Sequence, residues 1–74
     1  MVYTDGVHLV ADTLDELHAF AESIGVKRSW FQDHPRHPHY DTISKGKKSK
    51  AIKAGAILIS SKEIVMHFRK LGYL

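Results

Sequence analysis

The segment Asp33-His34-Pro35-Arg36-His37-Pro38-His39-Tyr40-Asp41 carries three of the chain's six histidines between two aspartates. It has no hydrophobic period, and a stretch that need not pack is free to bind or react. His37, His39 and Asp41 are spaced two apart, so in extended backbone all three project to one side. Neutral imidazole with carboxylate suits zinc, or manganese and iron where coordination positions stay open. A divalent metal, zinc or manganese, is the cofactor this spacing leads one to expect, with His8 or His18 available as a further donor. The chain has no HExxH helix or other spacing of known zinc specificity.

His39, Tyr40 and Asp41 are also three consecutive proton-transfer groups. With His8 they form a candidate catalytic set in which Lys45 or Lys47 steadies an anion. The bland alternative puts the Tyr40 ring in the core and leaves His39 and Asp41 to hold the loop by hydrogen bonds. A third chemistry comes from Lys45, Lys47, Lys48, Lys50 and Lys53, a basic run without an acid. Each lysine placed on a phosphate adds a salt-sensitive increment to affinity. Arg28 and Trp30 offer a guanidinium and a stacking face to a nucleic acid or nucleotide. Against this, most lysine runs are solvated helix faces, and a Trp-Phe pair more often serves a core or a dimer interface. His18 and His67 sit at the edges of apolar helical stripes and read as boundary residues. His8 is either a satisfied core histidine or the scaffold's part of a site.

The elements that must position these groups are short. Val2-Tyr3-Thr4 and Val7 to Ala11 flank Asp5-Gly6, a two-residue hairpin signal. That turn predicts Tyr3 opposite His8 and Val2 opposite Leu9, with Leu9 and Ala11 on one face and His8 and Val10 on the other. Thr13 to Glu16 reads as a capping box opening a helix whose stripe is Leu14, Leu17, Ala21 and Ile24, stopped by Gly25. Val26 to Gln32 is a candidate short strand. Pro35 and Pro38 exclude regular structure through the histidine loop. A lysine-bearing helix is predicted from about Lys45 to Gly55. Ala56-Ile57-Leu58-Ile59, apolar without alternation, suits a central strand covered on both faces. Ser60 to Glu63 is a second capping box, opening a helix with Ile64, Phe68 and Leu71 inward. The order is β-β-α-(β)-loop-α-β-α: a small α/β sandwich of about three helices on a three- to four-stranded sheet, one domain over residues 1–74.

Several blocks also occur in the order and spacing of a known family. They are His8-Leu9-Val10-Ala11-Asp12, Asp15-Glu16-Leu17-His18-Ala19-Phe20-Ala21, Ile24-Gly25, Trp30-Phe31-Gln32, His39-Tyr40-Asp41 and Ala51-Ile52-x-x-Gly55-Ala56. The chain resembles the DUF4031 family, short bacterial and phage proteins of uncharacterised function, over about residues 7–60. Where members carry a longer Trp- and Arg-containing stretch before the His-Leu block, this chain has Asp5-Gly6. The resemblance implies a compact domain and draws attention to His8, His18, His39, Tyr40 and Asp41 without supplying an activity.

Size and charge bound the rest. At 74 residues without cysteine, no disulfide or thiolate zinc site can supplement a small core, so a homodimer or other homo-oligomer is expected. A formal net charge of +3 permits phosphate contact without demanding it. No apolar run is long enough to cross a bilayer, and the first residues lack a signal-peptide layout, so the expected compartment is the cytoplasm. The leading expectation is a binding module for a nucleic acid or nucleotide. It would use Lys45, Lys47, Lys48 and Lys50 on phosphates, with His39 and Tyr40 as directional partners. The alternative is a small, metal-dependent phosphoester hydrolase using His39 and Asp41. A third reading is a phage or host inhibitor that docks on another protein through exposed Trp30, Phe31 and Tyr40.

Overall fold

The computed structural model describes residues 1–41 and 48–73. Five strands, β1 (Val2–Thr4), β2 (His8–Ala11), β3 (Phe31–Gln32), β4 (His39–Asp41) and β5 (Ile57–Leu58), form one mixed sheet. Three helices, α1 (Leu14–Ser23), α2 (Lys48–Lys53) and α3 (Ser61–Lys70), cover its two faces. The spatial order is β3-β4-β2-β1-β5, with β1 and β5 parallel and every other neighbouring pair antiparallel. The class is α/β with three helices, as the sequence predicts, and the sheet has at least one strand more than expected.

Alternation along β2 decides which helix covers which face. Leu9 and Ala11 join Val2, Tyr40, Leu17, Ala21 and Ala51 in the core beneath α1 and α2. Val10 points the other way, to Ile64 and Phe68 of α3. The caps follow the sequence in part. The Thr13 hydroxyl accepts from the Glu16 backbone N–H, but the Glu16 carboxylate lies against the Met1 amino group, so that box is half made. At α3 the Ser60–Glu63 box is complete. Leu14 and Leu71, expected in the buried stripes, are exposed because each lies at a helix end beyond the sheet's cover.

The turn between β1 and β2 departs from the two-residue hairpin. The observed pairs are Val2↔Ala11, Tyr3↔Val10 and Thr4↔Leu9, so Tyr3 does not face His8, nor Val2 Leu9. The cause is Asp5. Its carboxylate accepts the backbone N–H groups of Val7 and His8 at 2.8 and 2.7 Å, widening the loop. Gly6 takes a φ of 95°, which a side chain would oppose. The register moves by two residues, and because the pleat has period two, the faces of residues 8 to 11 are unchanged. His8 is thereby freed from β1 and pairs with Asp41 of β4.

Three further expectations change. Ala56 to Ile59 does not form a central strand. Only Ile57 and Leu58 pair, at the sheet edge, and Leu58 is 56% exposed. The run is apolar because Ala56 and Ile59 serve the cores on opposite faces. Within Val26 to Gln32, Arg28–Trp30 is a 3₁₀ turn and only Phe31–Gln32 is strand. The histidine loop ends earlier than Asp41, since His39–Asp41 is β4 once Pro38 is passed. The predicted start of the lysine helix, with Lys45 and Lys47, lies outside the described residues; α2 is described from Lys48. Among the described residues no helix is long and apolar enough to cross a membrane.

Candidate metal centre

Two neighbouring strands build the site. His39 and Asp41 are two apart on β4 and share a face, and the widened turn sets His8 directly across from Asp41. Opposed residues of an antiparallel pair point the same way. His8, His39 and Asp41 therefore gather on the α3 side, with one ligand atom from each lying within 4.8 Å of the others. The His8 and His39 rings meet edge to face at 5.0 Å, and His39 Nε2 is 3.6 Å from Asp41 Oδ1.

Each imidazole is held by its other nitrogen. His39 Nδ1 is 2.6 Å from the His37 carbonyl oxygen, which can only accept, so Nδ1 carries the proton and Nε2 keeps its lone pair. His8 Nδ1 donates to Asp5 Oδ2 at 3.0 Å, leaving its Nε2 free in the same way. Carboxylate or carbonyl behind a ligating histidine is the support metal sites use to fix tautomer and orientation. Bonds of about 2.0–2.2 Å in a tetrahedron separate donors by about 3.3–3.6 Å. The His39–Asp41 pair already meets that spacing, and His8, whose side chain is 41% exposed, has room to close in.

Asp5 anchors the arrangement. Its side chain is only 3% exposed. Oδ2 also accepts from the Ser61 hydroxyl at 2.8 Å, tying the turn to the first residue of α3. Burial acts to raise its pKa, but the hydrogen bonds from His8, Val7 and Ser61 outweigh that and hold the carboxyl well below the usual range. In the sequence Asp5 reads only as a turn former and Ser61 only as part of a cap. An aspartate three residues before a histidine was the available signal for Asp5; nothing local marks Ser61, because it arrives from the far end of the chain.

The other predicted site residues that the structure describes do not belong to this donor set. His37 does not join the donor set. It precedes Pro38, outside the strand, and its ring stacks on His34 at 3.7 Å, so the two-residue alternation does not reach back to it. Tyr40, between His39 and Asp41, necessarily faces the opposite way; it is fully buried, with its hydroxyl 2.7 Å from His18 Nδ1. Trp30 and Phe31 are partly buried against the same core, so of the three aromatics expected for docking on another protein Tyr40 is fully covered. Arg28 lines a crevice with His18, Glu22, Lys27 and Tyr40 on that far side. Lys50 and Lys53 flank the end of α1. Lys48 reaches the β1–β2 turn, where its side chain lies over Gly6.

The family model described as "Protein of unknown function (DUF4031)" matches residues 4–71 of the 74. The chain belongs to the DUF4031 family. No curated protein and no solved structure matches it. In this DUF4031 domain the family blocks around His8 and around His39-Tyr40-Asp41 are thus the two strands that meet at the centre.

The His18–Tyr40 pair gives a prediction separate from the metal donors. Burial, then Arg28, lowers the His18 pKa, while burial raises that of Tyr40. Tyr40→Phe leaves His18 without its partner and should cost about 1 kcal/mol, or roughly 4–8 °C of melting temperature. As pH falls below about 6.5, the unfolded chain protonates His18 first. Stability held by the neutral ring is therefore present above that value and lost on the way down to its lower folded pKa. Thermal melts between pH 5 and 8 check both, and His18→Gln should flatten the dependence.

Proposed function

We propose that this DUF4031 domain is a metal-dependent hydrolase domain in which His8, His39 and Asp41 hold one divalent cation. The observation that carries this reading is the pair of imidazoles, each with Nδ1–H engaged by an acceptor, beside a carboxylate. These three side chains would hold the cation, which when bound would lower the pKa of a water on it and polarise a substrate oxygen. Within the chain, Asp5 and the His37 carbonyl orient the two rings, and Asp41 supplies the negative charge. Two imidazoles with one carboxylate suit zinc, manganese or ferrous iron.

Protein prepared without a histidine tag and loaded with zinc or manganese should hydrolyse a chromogenic carboxylic ester or phosphomonoester. Chelation should remove the activity, metal should restore it, and His8→Ala should abolish it. Turnover that survives chelation, or no turnover with either metal and either substrate class, rejects the hydrolase.

A second reading concerns the other face of the sheet. Lys27 and Arg28 line one crevice, Lys50 and Lys53 another, and Gly25 belongs to both. We propose that this basic rim contacts anions such as single-stranded nucleic acid, through Arg28 and Lys50 rather than through the histidine loop. Binding to a fluorescent oligonucleotide at low salt should weaken steeply as salt rises, by about 0.7 log units per tenfold salt for each phosphate neutralised. Lys50→Glu with Lys53→Glu should reduce it, and absence of binding at low ionic strength ends this reading.

A further inference from the structure

His8 and His39 of the donor set open on a cavity of about 210 Å³ that Asp5, His37 and Ser61 also line and whose remaining wall is apolar. Val10 forms its floor from β2, while Ile64, Val65 and Phe68 come from α3. Val10, Ile64 and Phe68 are buried, whereas Val65 is 47% exposed. Among the described residues no lysine or arginine lines it, while the Asp5 carboxylate does. The basic residues around Gly25 lie across the sheet.

Resting on the metal reading above, we propose that the molecule completing this centre is small, with one metal-ligating head and a short unbranched apolar body. Nucleotides and polyphosphates do not fit that description. The donor atoms of His8 and His39 sit at the polar end of the cavity, so a head group on the cation directs its tail along Val10 towards Ile64, Val65 and Phe68. Among the described lining residues a polyanion would find no lysine or arginine to add to the cation, and it would meet the Asp5 carboxylate and four apolar side chains. A single carboxylate, hydroxamate or ester carbonyl needs no other charge. The cavity volume limits the body to a few carbons, smaller than a typical drug-sized site.

The probe is a series of alkyl hydroxamates, from acetohydroxamate to hexanohydroxamate, titrated into the cobalt-loaded protein and read from the cobalt absorption bands. Inorganic phosphate is titrated alongside. Affinity should rise by about fourfold per methylene until the cavity is filled. Phosphate should bind more weakly than butanohydroxamate. Val65→Lys, at an exposed position that tolerates charge, should flatten the chain-length trend and strengthen phosphate. Equal affinity across the series, or phosphate as the tighter ligand, overturns the proposal while leaving the metal site standing. Failure of the protein to take up cobalt overturns both.

Discussion

Asp5→Ala is expected to remove about 3–4 kcal/mol of folding stability, the largest effect of any single substitution in the turn. The carboxylate is 3% exposed and accepts four hydrogen bonds, from the backbone of Val7 and His8, the His8 ring and the Ser61 hydroxyl. Hydrogen bonds to a charged group contribute about 1.5–3 kcal/mol each, and truncation leaves several donors unmatched. A domain of this size is expected to have only about 4–11 kcal/mol in total. The variant should therefore melt far below the native protein, whereas Ser61→Ala, which loses one bond at an exposed position, should cost about 1.5 kcal/mol. Hydrogen bonding holds the Asp5 pKa down, so its contribution is whole above the unfolded value of about 3.9 and fades as pH falls below it. Urea titrations of the two variants check the magnitude. A loss below 1 kcal/mol for Asp5→Ala would mean that the turn holds without its carboxylate.

The second large effect is on metal. His39→Ala removes a donor whose side chain is 13% exposed and whose orientation the His37 carbonyl fixes. Loss of an outer partner commonly weakens a metal site about 10–100-fold, so loss of a ligand should exceed 100-fold. Asp5→Asn, which keeps the shape and reverses the hydrogen-bonding sense at one atom, should fall within the outer-partner range. Tyr40→Phe should leave metal affinity untouched, since its hydroxyl lies across the sheet with His18. Competition with a chromogenic chelator ranks all three. Equal affinities for the native protein and His39→Ala would remove His39 from the site.

The parts of this architecture governed by period were readable from residue order. Alternation in His8 to Ala11 and in His39 to Asp41 gives the correct faces even though the hairpin register is two residues off, because a shift of two preserves side-chain direction. The same alternation, applied strictly, separates Tyr40 from His39 and Asp41, and reading the three as one catalytic run overlooks the pleat. Caps at Thr13 and Ser60 were equally visible, being local. What depends on long-range pairing was not. His8 meets Asp41 only because Asp5 widens a turn. Ser61 reaches Asp5 across 56 positions of chain. The edge position of β5 follows from parallel pairing with β1, which an apolar run cannot specify. The predicted start of the lysine helix, at Lys45 and Lys47, lies outside the described residues, so only α2 from Lys48 can be placed against the histidine loop. Ala51 turns α2 into the core beneath α1, on the face away from the donor set.

Calorimetric titration of zinc into tag-free, metal-stripped protein decides whether His8, His39 and Asp41 hold a cation. One equivalent should bind with a Kd of about micromolar or tighter, corresponding to at least about 8 kcal/mol. Both His8→Ala and His39→Ala should abolish that isotherm. Zinc binding too weak to saturate at millimolar concentration, or a one-equivalent isotherm that persists in both variants, would contradict a cation site at these residues.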